Sequence, residues 1–161
     1  MCEICQGKSR RQVMAETKIA VARYGWSMIM VEGELTSPAF GYTVGLTERR
    51  HPELLITGRT SSETTGLLTM LTDMILDHGH DLTAGLTLEL PERNVYLAPM
   101  EQPRDVLLMA AKIYSWRVQA LQAVWADNSG RFPWEQRPPD VLTQPLYGTP
   151  PSSWPAQRLQ G

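Results

Sequence analysis

Two apolar, β-rich runs separated by a short charged segment constrain this chain more than any other feature. They are Phe40–Leu46 and Leu54–Thr57, within AFGYTVGLTERRHPELLITG (39–58). Tyr, Thr, Val and Ile suit a pleated, half-buried surface, and Gly41, Gly45 and Gly58 mark kinks and exits. The pattern predicts a central β-hairpin, with Thr47–Glu53 as its polar connection and His51 inside that connection.

The flanking segments alternate between helical and strand periodicity. Val13, Ala20, Val21 and Tyr24 fit one face of a helix over Arg10–Tyr24, which Gly25 stops. Trp26–Val31 reads as a strand. Thr60 and Glu63 have the spacing of a capping box, and Leu67, Leu68, Leu71, Met74 and Ile75 line the helix that it opens, ending near Gly79. Leu86–Leu90 and Asn94–Ala98 read as two strands able to pair across Pro91-Glu92-Arg93. Pro103 opens a third helix with Val106, Leu107, Ala110, Ile113 and Tyr114 as its buried stripe. Val118–Ala126 is a strand or begins as the end of that helix, and Asp127-Asn128-Ser129-Gly130 is a turn.

Adjacent strands linked by connections too short for a crossover helix argue for an α+β fold, not a doubly wound one. The expectation is a single domain, 10–148, with a mostly antiparallel sheet and about three helices packed on one face. A loose N-terminal segment, 1–9, carries a CxxC. An ordered extension through about Tyr147 wraps the domain through Trp134 and Leu146, and a Pro-rich frayed tail, 149–161, follows.

With 161 residues, 42% hydrophobic and 20% charged, the chain has the length and composition of one globular domain. A net charge of −2 gives no basic surface to track phosphates, which argues against nucleic acid. No apolar run is long enough to span a membrane, and MCEICQGKSRRQ lacks the hydrophobic core of a secretory signal. The expectation is a cytoplasmic protein with Cys2 and Cys5 as reduced thiols.

Two blocks, GYTVGLTERRHPELLITG (41–58) and LQAVWADNSGRFPWE (121–135), together with Gly25-Trp26 and Gln144-Pro145-Leu146-Tyr147-Gly148, resemble the family known as domain of unknown function 4262. The resemblance covers roughly residues 19–148. It implies a small α+β domain of actinobacterial or phage origin and brings no activity with it.

The polar side chains recurring in these blocks are Tyr42, Thr43, His51, Glu53, Gln122, Asp127 and Trp134. A pocket joining His51, Asp127 and Tyr42 would place a base beside a carboxylate, the minimum for acid–base chemistry or ligand binding. The plainer reading makes His51 and Asp127 turn residues and Trp134 a hydrophobic plug. Cys2-x-x-Cys5 with His78-x-His80 has the donor types of a zinc site but lacks a second cysteine pair. Otherwise no cofactor is expected. No catalytic constellation stands out, so the leading expectation is a regulatory or interaction domain that binds another protein. Trp134, Gln122, Glu53 and Thr43 are the contact candidates, and homo-oligomerisation is left open. For a phage-borne gene the partner would be a host factor.

Overall fold

Ser9 and Gln12 start the first helix reciprocally. The Ser9 hydroxyl accepts from the Gln12 N–H at 3.1 Å, and the Gln12 side chain accepts from the Ser9 N–H at 2.8 Å. In this computed structural model, which describes residues 9–35, 38–136 and 144–151, α1 (Arg10–Tyr24) is followed by β1 (Ser27–Val31), β2 (Phe40–Val44) and β3 (Glu53–Thr57). Then come α2 (Ser61–Leu76), β4 (Thr87–Glu89), β5 (Asn94–Pro99), α3 (Pro103–Val106), α4 (Leu108–Tyr114) and β6 (Ala120–Trp125). Thr60 caps α2 by accepting from the Glu63 N–H at 3.2 Å.

Among the described residues six strands form one sheet in the order β1-β2-β3-β6-β5-β4. The α+β expectation holds, and three details differ. First, the sheet is mixed, because β3 and β6 run parallel, with Glu53 opposite Ala120 and Leu54 opposite Leu121. Short links rule out parallel neighbours only for consecutive strands, and between β3 and β6 the chain travels through α2, β4, β5 and α4.

Second, helices cover both faces. α1 and α4 bury Val13, Val21, Met109, Ala110 and Tyr114 against Tyr42, Val44 and Leu55. On the other face α2 buries Leu68, Leu71 and Ile75 against Leu54, Ile56 and Leu97. The central strand β3 is therefore buried along its whole length.

Third, the helix opened by Pro103 is broken. Leu107, fully buried, leaves helical geometry at φ −86° and ψ 70°, and α4 starts afresh behind it. The break orphans amides at the start of α4, and the Tyr42 hydroxyl accepts one of them, Met109 N–H, at 2.9 Å.

The charged connection also differs from expectation. Leu46–Arg49 forms a 3-10 turn, and Glu53 is not a loop residue but the fully buried first residue of β3. Its carboxylate accepts five hydrogen bonds, from the Thr43 and Thr47 hydroxyls and the N–H groups of Gly45, Leu46 and Thr47, at 2.6–3.2 Å. Thr43 Oγ1 itself accepts from Leu54 N–H, so its one proton points to Glu53. Gly45 is obligatory, since φ is +124° and a Cβ there would lie 2.8 Å from the Gly25 carbonyl oxygen.

Glu53→Gln keeps the shape but turns an NH₂ toward main-chain N–H groups that only donate. The expected loss is at least about 3 kcal/mol, from buried donors left unpaired. That is a fall of roughly 6–12 °C in Tm by calorimetry for a chain of this size. A fall below about 1 kcal/mol would mean the carboxylate is not what organises the loop.

Candidate functional site

The turn that Glu53 holds delivers His51 to the sheet's end. His51 is 8% exposed. Its Nε2 accepts the Leu82 N–H at 3.0 Å, and Nδ1 lies 2.8 Å from the Pro52 carbonyl oxygen. A nitrogen that accepts an N–H carries no proton, so Nδ1 bears the hydrogen and donates it to Pro52. Both ring nitrogens are thereby committed, and His51 ties the 81–84 loop to the start of β3.

Between that loop and the sheet lies a cleft of about 780 Å³. Arg50, His51 and Pro52 form one wall, and Asp81–Ala84 the second. Pro99–Glu101 with Arg104 form the third, and Trp116 with Val118–Leu121 close it. The cleft therefore sits where the parallel strands β3 and β6 begin and β5 ends. The two non-glycine residues with positive φ among those described are Arg50 at 59° and Ser115 at 56°. Arg50 lines the cleft and Ser115 precedes Trp116. At ψ −129° Ser115 occupies backbone space ordinarily left to glycine, a strain of about 1–3 kcal/mol. It delivers Trp116, 78% exposed, to the cleft edge.

Of the side chains singled out in the sequence, only His51 lines this cleft. Tyr42 is buried under α4, where its hydroxyl caps Met109. Burial pushes this phenol up to about 12, with the Met109 N–H opposing and the Glu53 charge adding to the rise. Tyr114 is raised as well, by burial and then by its 2.5 Å hydrogen bond to the Glu48 carboxylate. Burial likewise raises the Glu53 carboxyl, opposed by the donors of Thr47, Thr43 and Gly45. Asp127 lies in the turn after β6, where Oδ1 accepts from Ser129 and Arg131 N–H at 2.9 Å. The Arg131 N–H foremost, then that of Ser129, hold its carboxyl below the usual range. His51, Tyr42 and Asp127 are thus engaged in three different places.

Gln122, fully buried in β6, divides its amide between β3 and the C-terminal segment. Its nitrogen donates to Thr57 Oγ1 and the Pro145 carbonyl, and its oxygen accepts from Tyr147 and Gly148 N–H. Gln144, quoted in the sequence only as part of a block, does the same for the main chain of Trp125, accepting from its N–H and donating to its carbonyl. Trp134 stacks on Phe132 at 5.1 Å and meets the Tyr96 ring edge-on at 5.3 Å. Cys2 and Cys5 lie outside the described residues. His78 and His80 are exposed with ring centroids 6.4 Å apart, and among the described residues no group of three or more His, Cys, Asp or Glu is placed to hold a metal ion.

The sequence reading missed Arg50, Arg104, Ser115 and Trp116. A tryptophan directly after a helical stripe, off its periodicity and beside arginine, is the one signal that could have marked the rim.

The model of the family described as Domain of unknown function (DUF4262) matches residues 20–139. Comparison with curated proteins gave no match, and comparison with solved structures gave none.

Two outcomes follow from the ring and phenol geometry. Long-range ¹H–¹⁵N correlation at neutral pH should show His51 as the Nδ1–H tautomer, and an Nε2–H signature would remove the Leu82 tie. The folded-state pKa of Tyr42 lies above its unfolded value of 10, so its contribution is intact below pH 10 and is lost as pH rises toward about 12. Denaturant titrations across that window should show stability falling by about 2–3 kcal/mol from this group. Tyr42→Phe should start lower and fall less, and an unchanged slope in that variant would discount the assignment.

Proposed function

The chain belongs to the DUF4262 family, a domain of unknown function, and we propose that it acts as an interaction module receiving a peptide segment of another protein in the cleft beside Trp116. The observation carrying this reading is a large aromatic ring, 78% exposed, held out by a strained backbone at the mouth of a cleft of about 780 Å³. Exposed Trp with neighbouring Arg is the composition of binding hot spots. Arg50 and Arg104 face the same cleft as Asp81 and Glu101, so the lining carries both signs of charge and suits a peptide bearing both. Trp134, the contact candidate from sequence, is turned inward onto Phe132 and Tyr96, and the docking role passes to Trp116.

A peptide library displayed on phage and selected against the immobilised full chain tests this. Enriched peptides should bind with micromolar Kd, and Trp116→Ala should weaken them at least about tenfold, equivalent to 1.4 kcal/mol. Because Trp116 is a surface side chain, Tm should stay nearly unchanged. The proposal fails if no peptide is enriched, or if enriched peptides bind Trp116→Ala as well as the parent chain.

A further inference from the structure

The two ends of the sheet are built differently. β4 closes one end with three residues, Thr87–Glu89, of which Thr87 and Glu89 are exposed, and Pro91 follows. Short length, charge and nearby proline are how edge strands avoid pairing with other chains. β1 closes the other end with none of these: Ser27-Met28-Ile29-Met30-Val31 is five residues long, uncharged and free of proline. Among the described residues β1 pairs only with β2, and all five of its residues are half-buried. Exposed apolar side chains flank this strand in the sequence. Ile19 and Tyr24 of α1, which packs on β1, are 60% and 66% exposed, and Leu35 beyond it is fully so.

We propose that this edge is a self-association surface, occupied by β1 of a second copy of the chain in antiparallel register about Ile29. Charge selects both the occupant and the direction. The chain leaves β1 toward the exposed, acidic Glu34 and approaches it from Arg23 at the end of α1. An antiparallel alignment sets the acidic exit of one copy beside the basic approach of the other, twice, as a two-fold axis requires. A parallel alignment would set acid against acid. The interface is isologous, and the sheet runs continuously through both copies. A five-residue strand with three flanking side chains is a small contact, below the area of a tight dimer, so the association is weak. This inference does not depend on the cleft.

Sedimentation velocity of the full chain over about 1–500 µM should show a monomer–dimer equilibrium with a micromolar Kd, as expected for a small interface. Ile29→Lys, which installs the missing edge charge, should shift the equilibrium to monomer, with circular dichroism reporting the fold. Ile29 also packs on the core, so exposed charges provide a second arm. Glu34→Lys alone and Arg23→Glu alone should each weaken the dimer several-fold, and the double swap should restore it. A monomer throughout overturns the proposal, and so does a dimer indifferent to both the lysine and the charge swaps. Foreign β-peptides that pair with β1 while the chain alone stays monomeric would assign the edge to another occupant and also overturn it.

Discussion

The carboxylate of Glu53 is the group on which the rest of the fold depends. It is buried without a cation among its five hydrogen-bond partners, solvated entirely by hydroxyl and main-chain dipoles. Such a nest of N–H groups is a concavity made for an anion. Here the anion belongs to the chain itself, so the loop closes on β3 and not on a ligand. Two consequences reach outward. The 3-10 turn is fixed in a form that puts His51 against Leu82. The start of β3 is fixed at the position where Glu53 N–H donates to the Gln119 carbonyl at 2.8 Å, which begins the parallel pairing with β6.

A second set of constraints acts through side-chain amides used as peptide surrogates. Gln144 presents one donor and one acceptor in the arrangement of a main-chain unit, Gln122 two of each, and both satisfy main-chain groups outside the strand pairings. Burying an amide is tolerable only when its polar atoms are paired, and here both atoms of both residues are. Gly148 completes the seal. A Cβ there would lie 2.6 Å from that of Ala98, so only glycine lets the segment approach closely enough for Thr149 N–H to reach the Pro99 carbonyl at 2.8 Å.

Local signals were legible wherever sequence neighbours decide the structure. The cap at Thr60, the stop at Gly25, the α2 stripe and the β4–β5 hairpin all involve residues close in the chain, whereas the Ser9 cap fell in a segment read as loose. What escaped reading depends on partners far away. Glu53 looked like a turn residue because its five donors are visible only once β2 and the turn fold over it. The β3–β6 pairing joins strands more than sixty residues apart, which no periodicity reports. The break at Leu107 sits inside an unbroken helical pattern, and the group that compensates for it, the Tyr42 hydroxyl, lies far away in the chain. Trp134, by contrast, was legible as a plug because Phe132-Pro133 beside it already has the composition of a buried corner.

The cleft illustrates why stability and recognition are separable in this fold. Its walls are secured by groups that do not face its opening. Glu53 sets the turn behind Arg50, Leu82 is tied through His51, and Met100 is tied to β6 by donating to the Ala120 carbonyl at 3.0 Å. Pro99 is held by the C-terminal segment through Thr149. None of these ties uses the side chains of Arg50, Asp81, Glu101, Arg104 or Trp116. A rigid rim whose charged and aromatic side chains take no part in these ties among the described residues loses little conformational entropy on binding beyond those side chains themselves, which is where preorganisation gains affinity. Strain enters at the same place. Ser115 holds a backbone conformation that costs free energy in every copy of the folded chain, and its structural effect is to turn Trp116 out of α4's apolar stripe and onto the rim.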